Sequence, residues 1–331
     1  MRHLLSVLAL GALLSPLTAL AREPQAPAPA PAPAPPKGVI AETRAAMAEK
    51  DFPRAERIVL SALAGEGTTP EAIEALSWLG RGALADKNYD QAQKYAVRAY
   101  AMVGEQLMTR KLDDEVHLPL ALGASIEVQA NVMVADGNRS EAVLYLRREL
   151  ETYKDSSIAM RVTKNINLFG LEGQPALPLD GAEWIGTRPP TLAELKGKPV
   201  IVYLWAHWCP DCKIQGPILE TLLAKYRSTG LTIVAPTQRY GYVAQRKTAL
   251  PDEELVYITK IRDEVYPWMK NYPVPVSADA FTKYGVSTTP TLVLIDRAGN
   301  VARYNPGRMT IDALDEALKP IVAPASSAKR D

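Results

Sequence analysis

Cys209 and Cys212 are the only cysteines among 331 residues, and they stand three positions apart as Cys209-Pro210-Asp211-Cys212. At that spacing a pair either exchanges a disulfide or holds a soft metal, and the rest of the chain can build no structural disulfide framework. The pair follows a continuous apolar, β-rich run, Val200-Ile-Val-Tyr-Leu-Trp205, and precedes a helical stretch from Lys213 to Tyr226. A run without alternation reads as a central strand covered on both faces. The order strand, cysteine pair, helix predicts Cys209 at a helix N-terminus, where unpaired N–H groups and the helix dipole favour a thiolate. Pro210 suits the first turn, because its missing N–H would be unpaired there in any case.

These residues resemble the thioredoxin superfamily, in particular the exported TlpA/ResA-like thiol-disulfide oxidoreductases. Leu195-Lys-Gly-Lys-Pro-Val200 resembles the family's entry into its first central strand, and Trp205-Ala-His-Trp-Cys-Pro-Asp-Cys212 its active-site signature. Thr289-Pro290-Thr291, before a strand Leu292 to Ile295, resembles the loop whose proline is cis in that superfamily, and Asp296-Arg-Ala-Gly299 its hairpin turn. The resemblance covers Leu177 to Val322, under half of the chain. It implies an α/β fold with a central mixed sheet and an enzyme that needs no metal and no cofactor beyond its redox-active cysteines. Cys209 is then the exposed attacking thiolate and Cys212 the buried resolving residue, forming a disulfide between them, with Trp208, Pro210, Asp211, Thr289 and Pro290 in support. Protein disulfides or dithiols are the implied substrates, with an upstream electron donor or acceptor.

Two positions depart from the family. Tyr203 stands where thioredoxin carries a buried Asp, and Gln215 where ResA-like members often have Glu, so the proton route to Cys212 is unassigned. Asp211 reads either as a helix-start acid or as a brake on the thiolate. A carboxylate about 6 Å from the Cys209 sulfur, at an effective dielectric near 40, disfavours the thiolate by roughly 1.4 kcal/mol. On that account the couple is reducing. His207 reads as a solvated side chain. A soft-metal, copper-handling role for the same pair, or a disulfide oxidase or isomerase, are the alternatives.

Positioning these groups falls to the rest of the chain. Lys and Arg number 38 against 37 Asp and Glu, which gives no bulk electrostatic reason to expect nucleic acid. Residues 1–21 read as a signal peptide cleaved after Ala21 for export to the periplasm, with an uncleaved membrane anchor as the alternative. Residues 22–38 read as an Ala/Pro-rich linker. Residues 39–173 read as an all-α, tetratricopeptide-like helical domain, and 174–323 as the thioredoxin-like domain, with 324–331 a disordered tail.

The helical region carries a degenerate repeat. Ala48-Glu-Lys-Asp-Phe-Pro-Arg-Ala55, Ala85-Asp-Lys-Asn-Tyr-Asp-Gln-Ala92 and Ala135-Asp-Gly-Asn-Arg-Ser-Glu-Ala142 can be laid over one another. Each joins a polar turn to a small Ala on the next helix, so that two helices approach closely. A protein partner is the expected ligand of this region. Between Pro236 and Asp279 a tyrosine-rich insertion predicts an amphipathic helix over Asp252 to Lys270, with Leu255, Ile258, Ile261 and Val265 inward.

Overall fold

The computed structural model describes residues 37–179, 181 and 183–323. The leader at 1–21, the linker as far as residue 36 and the tail at 324–331 lie outside the described residues.

Seven helices come first: α1 (Val39–Ala48), α2 (Phe52–Gly65), α3 (Pro70–Ala85), α4 (Tyr89–Leu107), α5 (His117–Ala135), α6 (Arg139–Tyr153) and α7 (Ala159–Gly170). The three repeated turns fold alike. Lys50, Lys87 and Gly137 take positive φ, and the next residue, Asp51, Asn88 or Asn138, is the N-cap of the following helix. In each turn one N–H reaches back three residues and the next reaches back five, the bonding of a left-handed helix stop. Ala55, Ala92 and Ala142 are each fully buried. At the α3–α4 crossing, a Cβ added to Gly80 would already touch the Ala96 backbone at 3.5 Å. Gly137 suits the left-handed position, whereas lysine is strained there. Lys87→Gly is therefore expected to raise stability by about 1 kcal/mol, measured by urea denaturation.

Among the described residues, α5 alone is long and apolar enough to cross a membrane, and it is a core helix of this bundle, 61% buried over its most apolar window.

The remaining chain is α/β, as the resemblance implies. Strands β1 (Glu183–Ile185), β2 (Val200–Leu204), β3 (Thr232–Val234), β4 (Val274–Val276), β5 (Thr291–Ile295) and β6 (Val301–Pro306) alternate with α8 (Pro210–Lys225), α9 (Pro251–Val265), α10 (Ala278–Tyr284) and α11 (Ile311–Val322). The main sheet runs β3-β2-β5-β6, and β1 pairs with β4 apart from it. Strand β2 is parallel to β3 and antiparallel to β5, and β5 is antiparallel to β6, which makes the sheet mixed.

Both faces of β2 are covered, which is why its sequence does not alternate. Ile201 and Tyr203 join a core with residues of α8, α9 and α11. Val200, Val202 and Leu204 face Phe281 and Tyr284 of α10, together with Leu171, which follows α7. The helical region thus supplies part of the sheet's cover. Asn167 donates to the Lys283 carbonyl at 3.0 Å. Beside it Gly285, at φ 62°, lies so close to α7 that a Cβ would meet the Lys164 nitrogen at 2.3 Å. Any side chain there would force the two backbones apart. Beyond α7 the chain joins the edge of β6, where Gly173 donates to Val301 at 2.7 Å and Val301 to Gln174 at 2.8 Å.

Candidate active site

Cys209 is the N-cap of α8, and its sulfur accepts the Cys212 N–H at 3.1 Å. Pro210 occupies the first turn. The Thr289–Pro290 peptide is cis, and it brings the Thr289 carbonyl within 3.3 Å of the Cys209 sulfur, which donates to it as a thiol. The Pro290 carbonyl is taken by Gly307 N–H at 2.7 Å. Both cysteines are reduced, Cys212 fully buried and Cys209 only 2% exposed. The expectation of an exposed Cys209 is therefore corrected: Trp208, 43% exposed, stands beside it at the surface, and the cis-proline loop lies against the sulfur.

The two thiols are pushed in opposite directions. The Cys212 thiol donates to the Cys209 sulfur, and with help from the Thr289 side chain and the backbone N–H groups of Cys212 and Asp211 this outweighs burial and lowers Cys209 to about 6. Burial, reinforced by that same donation, pushes Cys212 far above the usual thiol range. One cysteine is thus the nucleophile at neutral pH and the other holds its proton.

Asp211 does not act on Cys209 in the way its charge alone implies. Its carboxylate pairs with Arg308 at 3.1 Å, both side chains about half exposed, and the Asp211 backbone N–H assists the thiolate.

His207 is not solvated. It is 2% exposed, ringed by Tyr240, Tyr242 and Tyr257 in edge contacts with centroids 5.4 to 5.7 Å apart. Its Nε2 lies 3.2 Å from Glu254 of α9. Desolvation holds the imidazole below its usual range despite that carboxylate, so it is neutral at pH 7 and Nε2 donates. Glu254, 1% exposed, also accepts the N–H groups of Tyr240 at 2.6 Å and Gly241 at 2.8 Å. Tyr240 in turn carries the Trp208 ring on its edge at 5.4 Å. Sequence reasoning missed Glu254, although the signal was there: it shares a stripe with Ile258 and Ile261 at helical spacing. The insertion helix itself stops at Val265, short of Lys270, and Val265 is 37% exposed, while Tyr266 takes the buried place.

Among the described residues, no three of His, Cys, Asp and Glu gather as a metal-binding set. Tyr203, in the place of thioredoxin's buried Asp, donates to the Cys212 carbonyl at 2.8 Å. Gln215 accepts Met309 N–H at 2.8 Å, which leaves its Nε2 unpaired.

A nucleophilic cysteine capping a helix, beside a cis proline and on a mixed four-stranded sheet, defines a thioredoxin-like domain. The family described as "Thioredoxin-like domain" matches residues 191–321. Thiol-disulfide oxidoreductase ResA of Oceanobacillus iheyensis is 30% identical over 132 residues, 39% of this chain and 60% of that protein. ResA of Bacillus thuringiensis (strain Al Hakam) is 31% identical over 132 residues, covering 39% of this chain and 67% of that protein. The chain belongs to the ResA-like thiol-disulfide oxidoreductases. The chain matches 60% of the first relative's length, and residues 39–170 lie outside the matched family region. A solved thiol:disulfide interchange protein from Chlorobium tepidum TLS is 26% identical, with 45% of this chain and 97% of that chain covered and a TM-score of 0.33.

Proposed function

We propose that this chain is an extracytoplasmic disulfide reductase. The Cys209 thiolate attacks a protein disulfide, and Cys212 attacks the mixed disulfide and frees the reduced substrate. The carrying observation is the split of the pair, with Cys209 lowered to about 6 and Cys212 held protonated. A low thiol pKa favours the reduced form and so makes a couple more oxidising, but here the effect is small. At pH 7 it stabilises the reduced pair about tenfold, which is about 30 mV for a two-electron couple. That is small beside the roughly 150 mV separating reducing thioredoxin from the oxidant DsbA.

The leader-like run at residues 1–21 supports export. The helical region, with its tetratricopeptide-like turns, then serves to dock a partner or substrate. Insulin reduction, coupled to a chemical dithiol that recharges the pair, tests the reading. The rate should follow the Cys209 thiolate: level above about pH 7, and falling about tenfold per unit below pH 6. A couple equilibrated in glutathione buffers that proves as oxidising as the DsbA pair would overturn reduction in favour of oxidation.

A further inference from the structure

For Cys212 to resolve a mixed disulfide its thiol must lose a proton, and burial opposes this. No carboxylate side chain is among the main groups acting on it, which are Cys209, the Ala206 backbone and Tyr203. Glu254 is engaged elsewhere, by His207 and two backbone N–H groups.

Tyr203 is fully buried on β2. Its hydroxyl donates to the Cys212 carbonyl at 2.8 Å, and its presence favours the ionised form of the Cys212 thiol. Tyr266, 1% exposed, packs in the same core as Tyr203 and Cys212 and feels Tyr203, which favours its ionised form, while its hydroxyl has no partner at ordinary hydrogen-bond geometry in this dithiol state. Its ring crosses α8 over Gly216, where a Cβ would meet ring carbons at 2.9 Å. Glycine one turn beyond Cys212 therefore admits the tyrosine, and the orphaned hydroxyl has a place in the chemistry that it lacks at rest.

We propose that Tyr203 and Tyr266 form a hydroxyl chain that stabilises the Cys212 thiolate as it forms. The inference rests on the dithiol chemistry proposed above. In the dithiol, Tyr203 gives its hydrogen to the carbonyl. As Cys212 ionises, rotation about one C–O bond turns that hydrogen onto the sulfur, and Tyr266 donates to the Tyr203 oxygen, strengthening it as a donor. Two neutral hydroxyls avoid the desolvation cost of a second buried charge. The Cys212–Cys209 sulfur bond then forms and the Cys209–substrate bond breaks. The electron pair leaves on the substrate sulfur, which takes up a proton in place of the one Cys212 gave up, so a mixed disulfide and a thiol become a protein disulfide and a free thiol. Tyr203 and Tyr266 act here as positioning residues for the thiolate.

The test is stopped-flow reaction of the reduced full chain with 5,5′-dithiobis(2-nitrobenzoate) across pH. Attack by Cys209 releases one thionitrobenzoate, and resolution by Cys212 releases a second. In Tyr203→Phe the second phase is expected to slow about tenfold at pH 7, and its midpoint to move up by about one pH unit. Tyr266→Phe should shift both in the same direction by less, and add nothing to Tyr203→Phe. Tyr226→Phe, whose hydroxyl bonds Asp315 instead, should match wild type. A second phase of Tyr203→Phe equal to wild type at every pH overturns the inference, as does equal slowing of both phases. A wild type that releases only one equivalent overturns the dithiol reading, and the inference with it.

Discussion

Serine at position 212 is expected to turn the chain into a covalent trap. Cys209 still attacks a disulfide, but nothing resolves the product, so insulin reduction falls by about three orders of magnitude and the mixed disulfide accumulates. Mass spectrometry of the unreduced protein should find the adduct on Cys209, and Cys209→Ser should form none. The same substitution reaches the attacking residue too, because the Cys212 thiol is the largest single influence lowering Cys209. A serine hydroxyl is a different donor at a different length, and Cys209 should rise from about 6 toward the ordinary thiol value. Adduct formation in Cys212→Ser should therefore need higher pH than the wild-type first step. An adduct that forms at the wild-type rate at pH 6 would show that the helix N-terminus alone sets the Cys209 thiolate.

Removing the Glu254 carboxylate is expected to have the largest effect on stability. Glu254→Ala leaves the part-buried backbone N–H groups of Tyr240 and Gly241 and the buried His207 imidazole without their acceptor. Each orphaned donor costs about 1 to 3 kcal/mol, and relaxation of the loop returns part of it, so the net loss should be about 3 to 5 kcal/mol. Glu254→Gln keeps one acceptor oxygen at the same volume and should lose about half as much. Urea denaturation followed by tryptophan fluorescence measures both. A loss below about 1 kcal/mol in Glu254→Ala would mean that solvent reaches these groups freely. The expected loss is local in origin, because Tyr240, whose N–H the carboxylate holds, is the ring against which Trp208 rests.

What could be read in the sequence was what is written locally. The run from Val200 to Trp205, the cysteine pair and the following helix lie side by side in the chain, and their periods and cap residues specify β2 and α8 without help from elsewhere. The repeated turns were legible for the same reason, since Lys50, Lys87 and Gly137 occupy matching places in matching segments. The electrostatics of the site were not legible. Asp211 meets Arg308, and His207 meets Glu254, across distances in sequence that only the fold closes. Charge arithmetic over four residues therefore left out the counter-ion of Asp211, while the helix N-terminus had already pointed Cys209 toward the thiolate. His207 read as solvated because nothing in its own neighbourhood announces that an insertion some 40 residues later will fold over it. Tyr203 was read as a missing proton acceptor, whereas its hydroxyl touches the very residue whose proton was in question.

The close approach of Gly285 to the α7 backbone fixes how the helices can serve the cysteines. Helices joined to a redox domain by a slack segment would act as a leash, raising the local concentration of whatever they hold and letting it sample many orientations. Here the chain leaves α7 and at once enters the edge of the sheet, and α7 itself forms part of the cover of that sheet. The arrangement is a gauge, not a leash. On the docking role proposed above, a protein gripped by the helices would be held at a set distance and angle from Cys209, so that its disulfide would react if it fell at that spot and be spared if it did not.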